Sequence, residues 1–154
     1  MKISNNYLSF LILLFCNVIY LYIGGLSTRP GVQSEWYQTL SQAPWTPPGF
    51  VFGLAWSIIA ITFAVFGAKT WQDPELMYVY FISWMPNISW NIIFFEYHQI
   101  HFALATIVVL SGMIGSMIYT SRKKYNWTTT VWLIPYFTWL IVATSLNLWI
   151  SIKN

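Results

Sequence analysis

Residues 125–152 read YNWTTTVWLIPYFTWLIVATSLNLWISI, a stretch without a single aspartate, glutamate, lysine or arginine. A helix needs roughly 20 mostly apolar residues to cross the hydrocarbon core of a bilayer. Four more charge-free windows lie between residues 2 and 29, 35 and 69, 76 and 95, and 97 and 121. A soluble fold of this length would need charged surface on nearly every helix, so the pattern predicts a membrane protein.

The composition agrees with this prediction and adds an aromatic feature. The chain of 154 residues is 57% hydrophobic and only 7% charged, whereas soluble domains carry about 25% charged residues. Aromatic side chains make up 20% of it and include ten tryptophans. Tryptophan and tyrosine often anchor proteins at the membrane interface. Many of these rings fall inside the charge-free windows, however, where they either pack or line a cavity.

Several other functional classes lack the residues that they need. The net charge of +3 comes mainly from residues 122–124, whereas a nucleic-acid-binding surface needs a broad basic stripe. Cys16 is the single cysteine, so one chain holds neither an internal disulfide nor a cysteine metal site. Glu96, His98 and His101 are close in sequence. A loop cluster without a fourth ligand is more typical of a solvated interface than of zinc, and no metal or required cofactor is expected.

Five membrane-spanning helices are predicted, at residues 7–26, 47–68, 76–95, 102–120 and 130–152. The first is expected to be a retained helix, since its apolar run is longer than a signal-peptide core and no small-residue cleavage site closes it. Short connections make neighbouring helices antiparallel. Residues 1–154 are therefore predicted to form a single domain, an all-α five-helix bundle in the membrane.

The long first loop, residues 27–46, is predicted to contain a short helix. Ser34 can cap that helix. Its apolar side chains share one face: Trp36, Tyr37 and Leu40. The helix either forms a lid on the bundle or rests in the lipid interface. At the end of the loop, Thr46 is predicted as the N-cap of the second span and Pro47 as its first residue.

Basic residues set the predicted orientation. One side of the membrane receives five of them: Lys2, Lys69, Arg122, Lys123 and Lys124. The other side receives Arg29 and Lys153. Because basic residues favour the cytoplasmic side, the amino terminus is predicted to lie in the cytoplasm and the first loop outside. A charge-poor helical bundle fits the inner membrane of a bacterium, which is the predicted location.

Polar and aromatic residues recur at helical spacing in three of the predicted spans. They are Phe52, Trp56, Ile59 and Phe63 in the second, Ser83, Asn87, Trp90, Asn91 and Phe94 in the third, and Trp132, Tyr136, Trp139, Ala143 and Asn147 in the fifth. Because carboxamides are costly in hydrocarbon, the three asparagines must face the bundle interior. There they either bond to neighbouring helices or line a cavity for a ligand with an apolar body and a polar edge.

Two further patterns concern helix shape and packing. Pro86 and Pro135 lie inside the third and fifth spans, where each is predicted to free a carbonyl one turn earlier and to bend its helix. The fourth span carries small residues at four-residue spacing: Ser111 with Gly115, and Gly112 with Ser116. Such spacing lets helices approach closely, and it serves either dimerisation or internal packing.

The first loop and the second span carry a motif of fixed spacing, Trp36-Tyr37-x-x-Leu40-x-x-x-Pro44-Trp45-Thr46-Pro47-Pro48-x-x-x-Phe52-x-x-x-Trp56. Two further motifs are Asn87-x-x-Trp90-Asn91-x-x-Phe94-Phe95, and Leu133-x-Pro135-Tyr136-x-x-Trp139 followed by Ala143-Thr144-x-Leu146-Asn147. Together the motifs run through nearly the whole chain. They resemble the TspO family, the tryptophan-rich sensory proteins of bacteria, which are related to the mitochondrial translocator protein (the peripheral benzodiazepine receptor).

The resemblance implies a five-helix bundle, often a homodimer, with a pocket that opens toward the first loop. Members of the family bind tetrapyrroles such as protoporphyrin IX, some bind sterols, and synthetic isoquinoline carboxamides and benzodiazepines bind as well. Carried onto this chain, the resemblance implies the following ligand-binding residues: Tyr37, Trp45, Trp56, Asn87, Trp90, Asn91, Phe94, Tyr136, Trp139, Ala143 and Asn147.

Two positions depart from the family pattern. Thr106 stands where members often carry an acid early in the fourth span, so a carboxylate contact to a ligand is absent. Leu148 stands where the cholesterol-recognition pattern needs a tyrosine. That pattern is weak even when it is intact, and the departure weakens the expectation of sterol binding.

The resemblance leaves three functions open. The first is a membrane sensor or regulator that binds tetrapyrroles or similar flat hydrophobic ligands. The second is an enzyme for light- and oxygen-dependent porphyrin degradation, in which Trp56 or Trp139 donates an electron or traps a radical. The third is a transporter of tetrapyrroles or sterols, against which the lack of internal repeats and of charges within the spans counts.

Overall fold

The computed structural model describes residues 2–154, with side chains from residue 6 onward. Within these residues the chain is helical and contains no strand. Its elements are α1 (Lys2–Gln33), α2 (Glu35–Thr39), α3 (Gly49–Thr70), α4 (Pro74–Ile82), α5 (Trp84–Phe95), α6 (Ile100–Lys124), α7 (Trp127–Thr130), a 3₁₀ turn (Val131–Leu133) and α8 (Ile134–Lys153). The side chain of Lys2, which the predicted orientation uses, lies outside the described residues.

Five segments of this chain form the membrane-spanning bundle. Four of them are long and apolar enough to cross a membrane: Asn6–Gln33, Gly49–Thr70, Ile100–Lys124 and Trp127–Lys153. The remaining span combines α4 and α5, which adjoin at Ser83. The prediction of an all-α membrane protein, a five-helix bundle with a short helix in its first loop, is therefore confirmed.

Two spans are interrupted one turn before a proline, as predicted. Pro86 has no N–H to offer the carbonyl of Ile82, and α4 ends at that residue. Pro135 likewise frees the carbonyl of Val131, which accepts the N–H of Ile134 across the 3₁₀ turn. In the last span, the 3₁₀ turn thus supplies a hydrogen-bond donor for the Val131 carbonyl, which would otherwise lack one because Pro135 has no N–H.

The first helix runs past its predicted end and stops at Gln33. The Ser27 hydroxyl donates to Oε1 of Glu96 at 2.5 Å, and a Cβ atom on Gly31 would overlap the ring of Phe95. These contacts hold the last turns of α1 against the end of α5. Long-range packing therefore extends the helix into a segment for which the sequence predicted a loop.

The first loop is accordingly shorter than predicted and spans residues 34–48. Ser34 caps α2 as predicted, since its hydroxyl accepts the N–H of Tyr37 at 3.2 Å. The predicted start of the second span is wrong, because Pro48 rather than Thr46 is the N-cap and α3 begins one residue after it. The Thr46 hydroxyl instead donates to a carbonyl within the loop at 2.7 Å.

The larger of the two packed clusters among the described residues lies in the half of the bundle away from the first loop, and the smaller one surrounds Phe94 and Phe95 near that loop. Phe63 stacks on Tyr80 with 3.9 Å between ring centroids, and Tyr136 meets Phe63 edge-on at 5.2 Å. Asn17 links three helices there, since its Nδ2 donates to the carbonyl of Ala60 and its Oδ1 accepts from the Tyr80 hydroxyl, both at 3.0 Å. The opposite half, called the loop end below, contains the candidate site.

The small residues of α6 divide between two faces. Gly115 faces α8, with 3.5 Å between its Cβ position and the ring of Phe137. Gly112 and Ser116 are exposed. The first face serves internal packing, and the use of the second in a homodimer stays a prediction.

Candidate ligand-binding cavity

A cavity of about 660 Å³ lies between α1, α3, α5 and α8 at the loop end. Its lining residues are Leu21, Gly25, Thr28 and Val32 of α1, Gly49, Phe52, Gly53 and Trp56 of α3, Asn87, Trp90, Asn91, Phe94 and Phe95 of α5, Ala143, Leu146 and Asn147 of α8, and Tyr37, Gln38, Gln42, Thr46 and Pro47 of α2 and the loop. The volume falls within the range of small-molecule sites, roughly 300–1,000 Å³. None of these lining residues is charged, so the cavity suits a neutral, largely apolar ligand.

Two asparagines of α5 join the cavity wall to neighbouring helices. Asn87 donates through Nδ2 to the Tyr136 hydroxyl at 2.7 Å. Asn91 donates to the carbonyl of Asn87 at 2.9 Å and accepts from the Thr28 hydroxyl at 2.5 Å. A carboxamide offers two N–H groups and two lone pairs on its oxygen. Both amides therefore tie helices together and retain bonding capacity toward the cavity, so the two roles left open by the sequence coexist.

The third predicted asparagine fixes an aromatic ring of the wall. Asn147 accepts the indole N–H of Trp90 at 2.9 Å and donates to the carbonyl of Ile100 at 3.2 Å. The bond sets the orientation of the Trp90 ring, whose face is stacked on Phe94 with 5.3 Å between centroids and 14° between planes. The α5 wall thus presents a paired aromatic surface that is held in place by an interior amide.

A small recess of about 40 Å³ extends the cavity toward α6. It shares five residues with the main cavity: Phe52, Trp56, Asn87, Trp90 and Ala143. Its other lining residues are Ile107, Leu110, Trp139 and Leu140. Trp139 meets Phe52 edge-on at 5.2 Å, and Trp56 meets Tyr136 edge-on at 6.0 Å. The two tryptophans proposed for chemistry therefore lie at the same recess.

The structure brings most of the sequence-predicted site residues together. Eight of them line the main cavity: Tyr37, Trp56, Asn87, Trp90, Asn91, Phe94, Ala143 and Asn147. Trp139 lines only the recess. Tyr136 is fully buried behind the wall, where its hydroxyl accepts from Asn87. It therefore supports the amide and does not face the space itself.

Trp45 lies away from the cavity, although the motif places it beside residues that line it. Its indole N–H donates to the Ser145 hydroxyl at 3.2 Å, and its ring meets Trp149 edge-on at 5.2 Å. The side chain is half exposed. In this structure Trp45 fastens the first loop to the outer side of α8.

The α1 wall is the one complete wall of the site that sequence reasoning missed; single lining residues of other elements, among them Gln38, Gln42 and Gly53, were missed as well. Its residues recur at i, i+4, i+7 and i+11: Leu21, Gly25, Thr28 and Val32. Only Thr28 is polar, and no aromatic residue marks this stripe. The spacing alone could have indicated a shared face, but which face of α1 turns inward depends on how that helix packs.

The Glu96, His98 and His101 segment has local partners at the loop end. His98 stacks on Trp36 with 4.0 Å between ring centroids, and its backbone takes a φ of 55°. Glu96 accepts the Ser27 hydroxyl. Among the described residues no three histidine, cysteine or acidic side chains assemble in a way that could hold a metal ion.

Tyr37 supplies a neutral polar group where α2 meets the cavity. Burial raises the pKa of its phenol above the ordinary value. The ring packs against Phe95 at 5.6 Å and Phe94 at 6.3 Å. The hydroxyl therefore stays protonated over the physiological range and offers a hydrogen-bond donor at the top of the cavity.

Comparisons with known proteins agree with this architecture. A model of the TspO/MBR family matches residues 12–152. The uncharacterised membrane protein YtaB of Bacillus subtilis is 28% identical over 132 residues, which cover 80% of this chain and 83% of that protein. The tryptophan-rich protein TspO of Archaeoglobus fulgidus is 25% identical over 139 residues, covering 86% and 88%. The translocator protein of Bos taurus is 24% identical over 136 residues, covering 82% and 78%.

Proposed function

The chain belongs to the TspO/MBR family of membrane proteins, and from this premise we propose that it binds a tetrapyrrole such as protoporphyrin IX, as a membrane sensor or regulator. The observation that carries the proposal is the uncharged cavity at the loop end, with its aromatic walls and interior amides. Protoporphyrin IX is a flat π-system with polar margins. Stacked rings match its faces, and carboxamides and the Tyr37 phenol match its edges.

The α5 wall supports this assignment in particular. Trp90 and Phe94 are stacked nearly parallel and both line the cavity, so a planar ligand can extend their stack. Asn91 lies on the same helix and faces the same space. A planar ligand that stacks on the ring pair therefore has an amide within the same wall, which favours a flat molecule with polar groups at its rim.

Titration of the purified protein with protoporphyrin IX in the dark tests this function. We expect a shift of the Soret band that saturates with a single site. Asn91→Ala should weaken the affinity about tenfold, equivalent to roughly 1.4 kcal/mol, while the helical circular dichroism is unchanged. Ser27→Ala is the matched control, because it removes another bond that holds α1 at the end of α5 and Ser27 does not line the cavity. Unchanged affinity in Asn91→Ala would remove that residue from the site, and a wild-type protein without a Soret shift would refute the proposed function.

A second candidate function is light- and oxygen-dependent porphyrin degradation. It is favoured by one observation, that Trp56 and Trp139 line the same recess of the cavity. An indole at that place can donate one electron to a light-excited porphyrin, which passes it to dioxygen to give superoxide. The indole radical cation then takes an electron back from the porphyrin, and the porphyrin radical cation combines with superoxide, so both oxygen atoms add to the porphyrin and the indole is regenerated. Illumination of the porphyrin complex in air tests this idea. Bleaching that Trp56→Phe or Trp139→Phe abolishes, and that Trp71→Phe leaves intact, would identify the protein as an enzyme. A porphyrin complex that is stable in light would contradict the degradation function and leave ligand binding as the proposed function.

A further inference from the structure

We propose that the tetrapyrrole ligand enters the cavity sideways from the lipid, through a fissure between α1 and α3, and not through the first loop. The inference rests on the proposed function, because it concerns access to the same cavity. Four features of the described residues carry it: a fixed crossing point, a one-sided set of bonds, two exposed glycines and a fastened loop.

The two helices are bonded at Asn17, called the crossing point here, whose Nδ2 donates to the carbonyl of Ala60 at 3.0 Å. They stay in close contact on the side away from the loop, where a Cβ atom on Gly67 would lie 2.6 Å from Leu13. Toward the loop end, the same stripe of α1 continues through Leu21 and Gly25 and lines the cavity. The matching stripe of α3 continues from Ala60 through Trp56 and Gly53 and lines the facing wall. The two helix faces touch at Asn17 and lie on either side of the cavity nearer the loop, so the space between α1 and α3 is V-shaped and widens toward the loop end.

Above the crossing point α1 is bonded to α5 and not to α3. The Thr28 hydroxyl donates to Asn91, and the Ser27 hydroxyl donates to Glu96. A Cβ atom on Gly24 would lie 2.9 Å from Nδ2 of Asn91, so the two helices are in close contact there. Among the described side chains, no hydrogen bond joins α1 to α3 on the loop side of Asn17. The α3–α8 edge has no hydrogen bond there either, but Phe52 packs edge-on against Trp139 across it at 5.2 Å. The α1–α3 edge on the loop side has neither a hydrogen bond nor a ring contact among the described side chains, so it is the unfastened edge of the cavity.

Glycines stand on both sides of that edge. Gly25 and Gly53 are exposed and line the cavity, and a Cβ atom on either would meet nothing within 4 Å. Glycine lowers helix stability by about 1 kcal/mol relative to alanine, and at other sites the close helix packing that glycine permits offsets this loss. At Gly25 and Gly53 no close packing offsets the loss. The missing side chains instead widen the gap between the two helices. Gly25 and Gly53 lie within the membrane-spanning segments Asn6–Gln33 and Gly49–Thr70, so the gap opens toward the surrounding lipid.

The loop above the cavity is fastened on two sides. Trp36 of α2 packs edge-on against Phe94 at 5.4 Å. At the other side, the N–H of Ser41 donates to Oδ1 of Asn154 at 2.9 Å, and Trp45 donates to a serine of α8. A route through the loop has to break these contacts, whereas a route through the fissure breaks no hydrogen bond or ring contact of the described side chains. A porphyrin partitions into lipid, so the open edge also faces the phase in which the ligand dissolves.

Stopped-flow quenching of protoporphyrin IX fluorescence by the full-length protein in lipid nanodiscs tests the route. Gly25→Leu and Gly53→Leu should each lower the association rate about tenfold. The dissociation rate should fall as well, because a narrowed passage slows the ligand in both directions. Gly112→Leu is the matched control, since Gly112 is also an exposed helical glycine with nothing within 4 Å of its Cβ position but lies outside the cavity.

A second arm closes the competing route. Ser41→Cys with Asn154→Cys, in a Cys16→Ala background, can be joined by a short thiol crosslinker that fixes the loop to α8. The crosslinked protein should bind at the wild-type rate. Slow binding after crosslinking, together with normal rates in the glycine variants, would place entry at the loop and overturn the inference. A faster dissociation rate in the glycine variants would also overturn it, since it would mean that leucine fills the site. No binding by the wild-type protein would instead refute the proposed function, and this inference with it.

Discussion

Gly25 and Gly31 lie less than two turns apart in α1 and meet opposite surroundings. A Cβ atom on Gly31 would overlap the ring of Phe95, whereas one on Gly25 would project into open space. Glycine therefore allows close contact between α1 and α5 at position 31, whereas at position 25 it leaves open space at the edge of the cavity. The difference lies in the neighbours that the fold supplies and not in the local sequence.

This contrast gives a prediction for two single substitutions. Gly31→Ala should lower the free energy of unfolding by about 1–3 kcal/mol, because the new methyl group forces α1 away from α5. Gly25→Ala should leave it unchanged or raise it by up to about 1 kcal/mol through helix propensity alone. Unfolding by dodecyl sulfate in mixed micelles, followed by circular dichroism, measures both values. Equal effects of the two substitutions would contradict the packing described for Gly31.

The sequence could predict the inward orientation of those side chains that are energetically costly in the hydrocarbon of the membrane. Asn87, Asn91 and Asn147 had to turn inward because an unpaired carboxamide is costly in lipid, and all three line the cavity. Trp45 carries no such constraint, since an indole is stable in a core, in an interface or against another ring. Its direction follows from the path of the loop, which the motif spacing does not determine.

At the scale of the elements, the start of α4 shows how a single cap joins two helices. Asp73 is the N-cap and accepts the N–H of Leu76 at 3.1 Å. The Lys124 ammonium at the end of α6 lies 3.1 Å from the same carboxylate. Burial opposes ionisation of Asp73, but the Leu76 N–H and the Lys124 ammonium outweigh it, so the pKa of this carboxyl lies below its ordinary value.

The lowered pKa sets the sign of a pH dependence. An ordinary Asp side chain titrates near pH 4. Because the folded pKa of Asp73 is lower than that of the unfolded chain, its contribution to stability is full above about pH 4 and is lost as the pH falls through the folded pKa. Asp73→Ala should lower the free energy of unfolding at pH 7 by about 1 kcal/mol. It should also flatten the loss of stability below pH 4. Glu35→Ala is the control, since Glu35 is an exposed acid in the first turn of α2 whereas Glu75 itself bonds to Lys124 at 2.6 Å. An Asp73→Ala variant with the same acid profile as wild type would contradict the role of Asp73.

The first loop offers a second prediction at this scale. Trp45→Phe removes the hydrogen bond to Ser145 but keeps a ring against Trp149. One such bond is worth about 0.5–1.5 kcal/mol, so amide hydrogens of residues 41–46 should exchange about three- to tenfold faster. Hydrogen exchange read by mass spectrometry measures this change, with Trp71→Phe as the control. Porphyrin affinity should stay within about twofold of wild type. A tenfold loss of affinity without faster exchange would place Trp45 in the site.

Helix number could be predicted from the sequence, and helix ends only in part. Charge-free windows and missing proline N–H groups are local properties, so the five spans and the breaks before Pro86 and Pro135 followed from them. The end of α1 did not, because contacts of Ser27 and Gly31 with α5 extend the helix past its predicted end. Contacts between residues more than sixty positions apart leave no mark in a local pattern.

At the scale of the whole molecule, the bundle has two unlike ends. The core around Phe63 and Tyr80 fills the end away from the first loop, and the cavity occupies the loop end. The α1 wall of the cavity could not be predicted, because it depends on α1 crossing α3 at Asn17 and then bonding to α5. Which face of α1 lines the cavity depends on the path of that helix through the bundle.

The bundle also has an electrostatic asymmetry that predicts its orientation in the membrane. Lys69 and the basic residues at 122–124 lie at the end away from the first loop, where Arg122 and Lys123 cap aromatic rings at 5.0 and 4.3 Å. Basic residues are retained on the cytoplasmic side, so we expect the first loop and the cavity to face the outside of the inner membrane. The carboxylates Asp73 and Glu75 share the basic end but count little in this rule.

Accessibility of single cysteines in intact cells tests that orientation. In a Cys16→Ala background, Ser41→Cys and Lys123→Cys place one thiol at each end of the bundle, and both positions are exposed. A membrane-impermeant maleimide should label Ser41→Cys in intact cells and label Lys123→Cys only after the membrane is opened. Labelling of both after opening shows that each thiol is reactive, so the difference before opening reports the side alone. Labelling of Lys123→Cys, and not of Ser41→Cys, in intact cells would place the loop end on the cytoplasmic side. A ligand that enters from lipid would then come from the cytoplasmic leaflet.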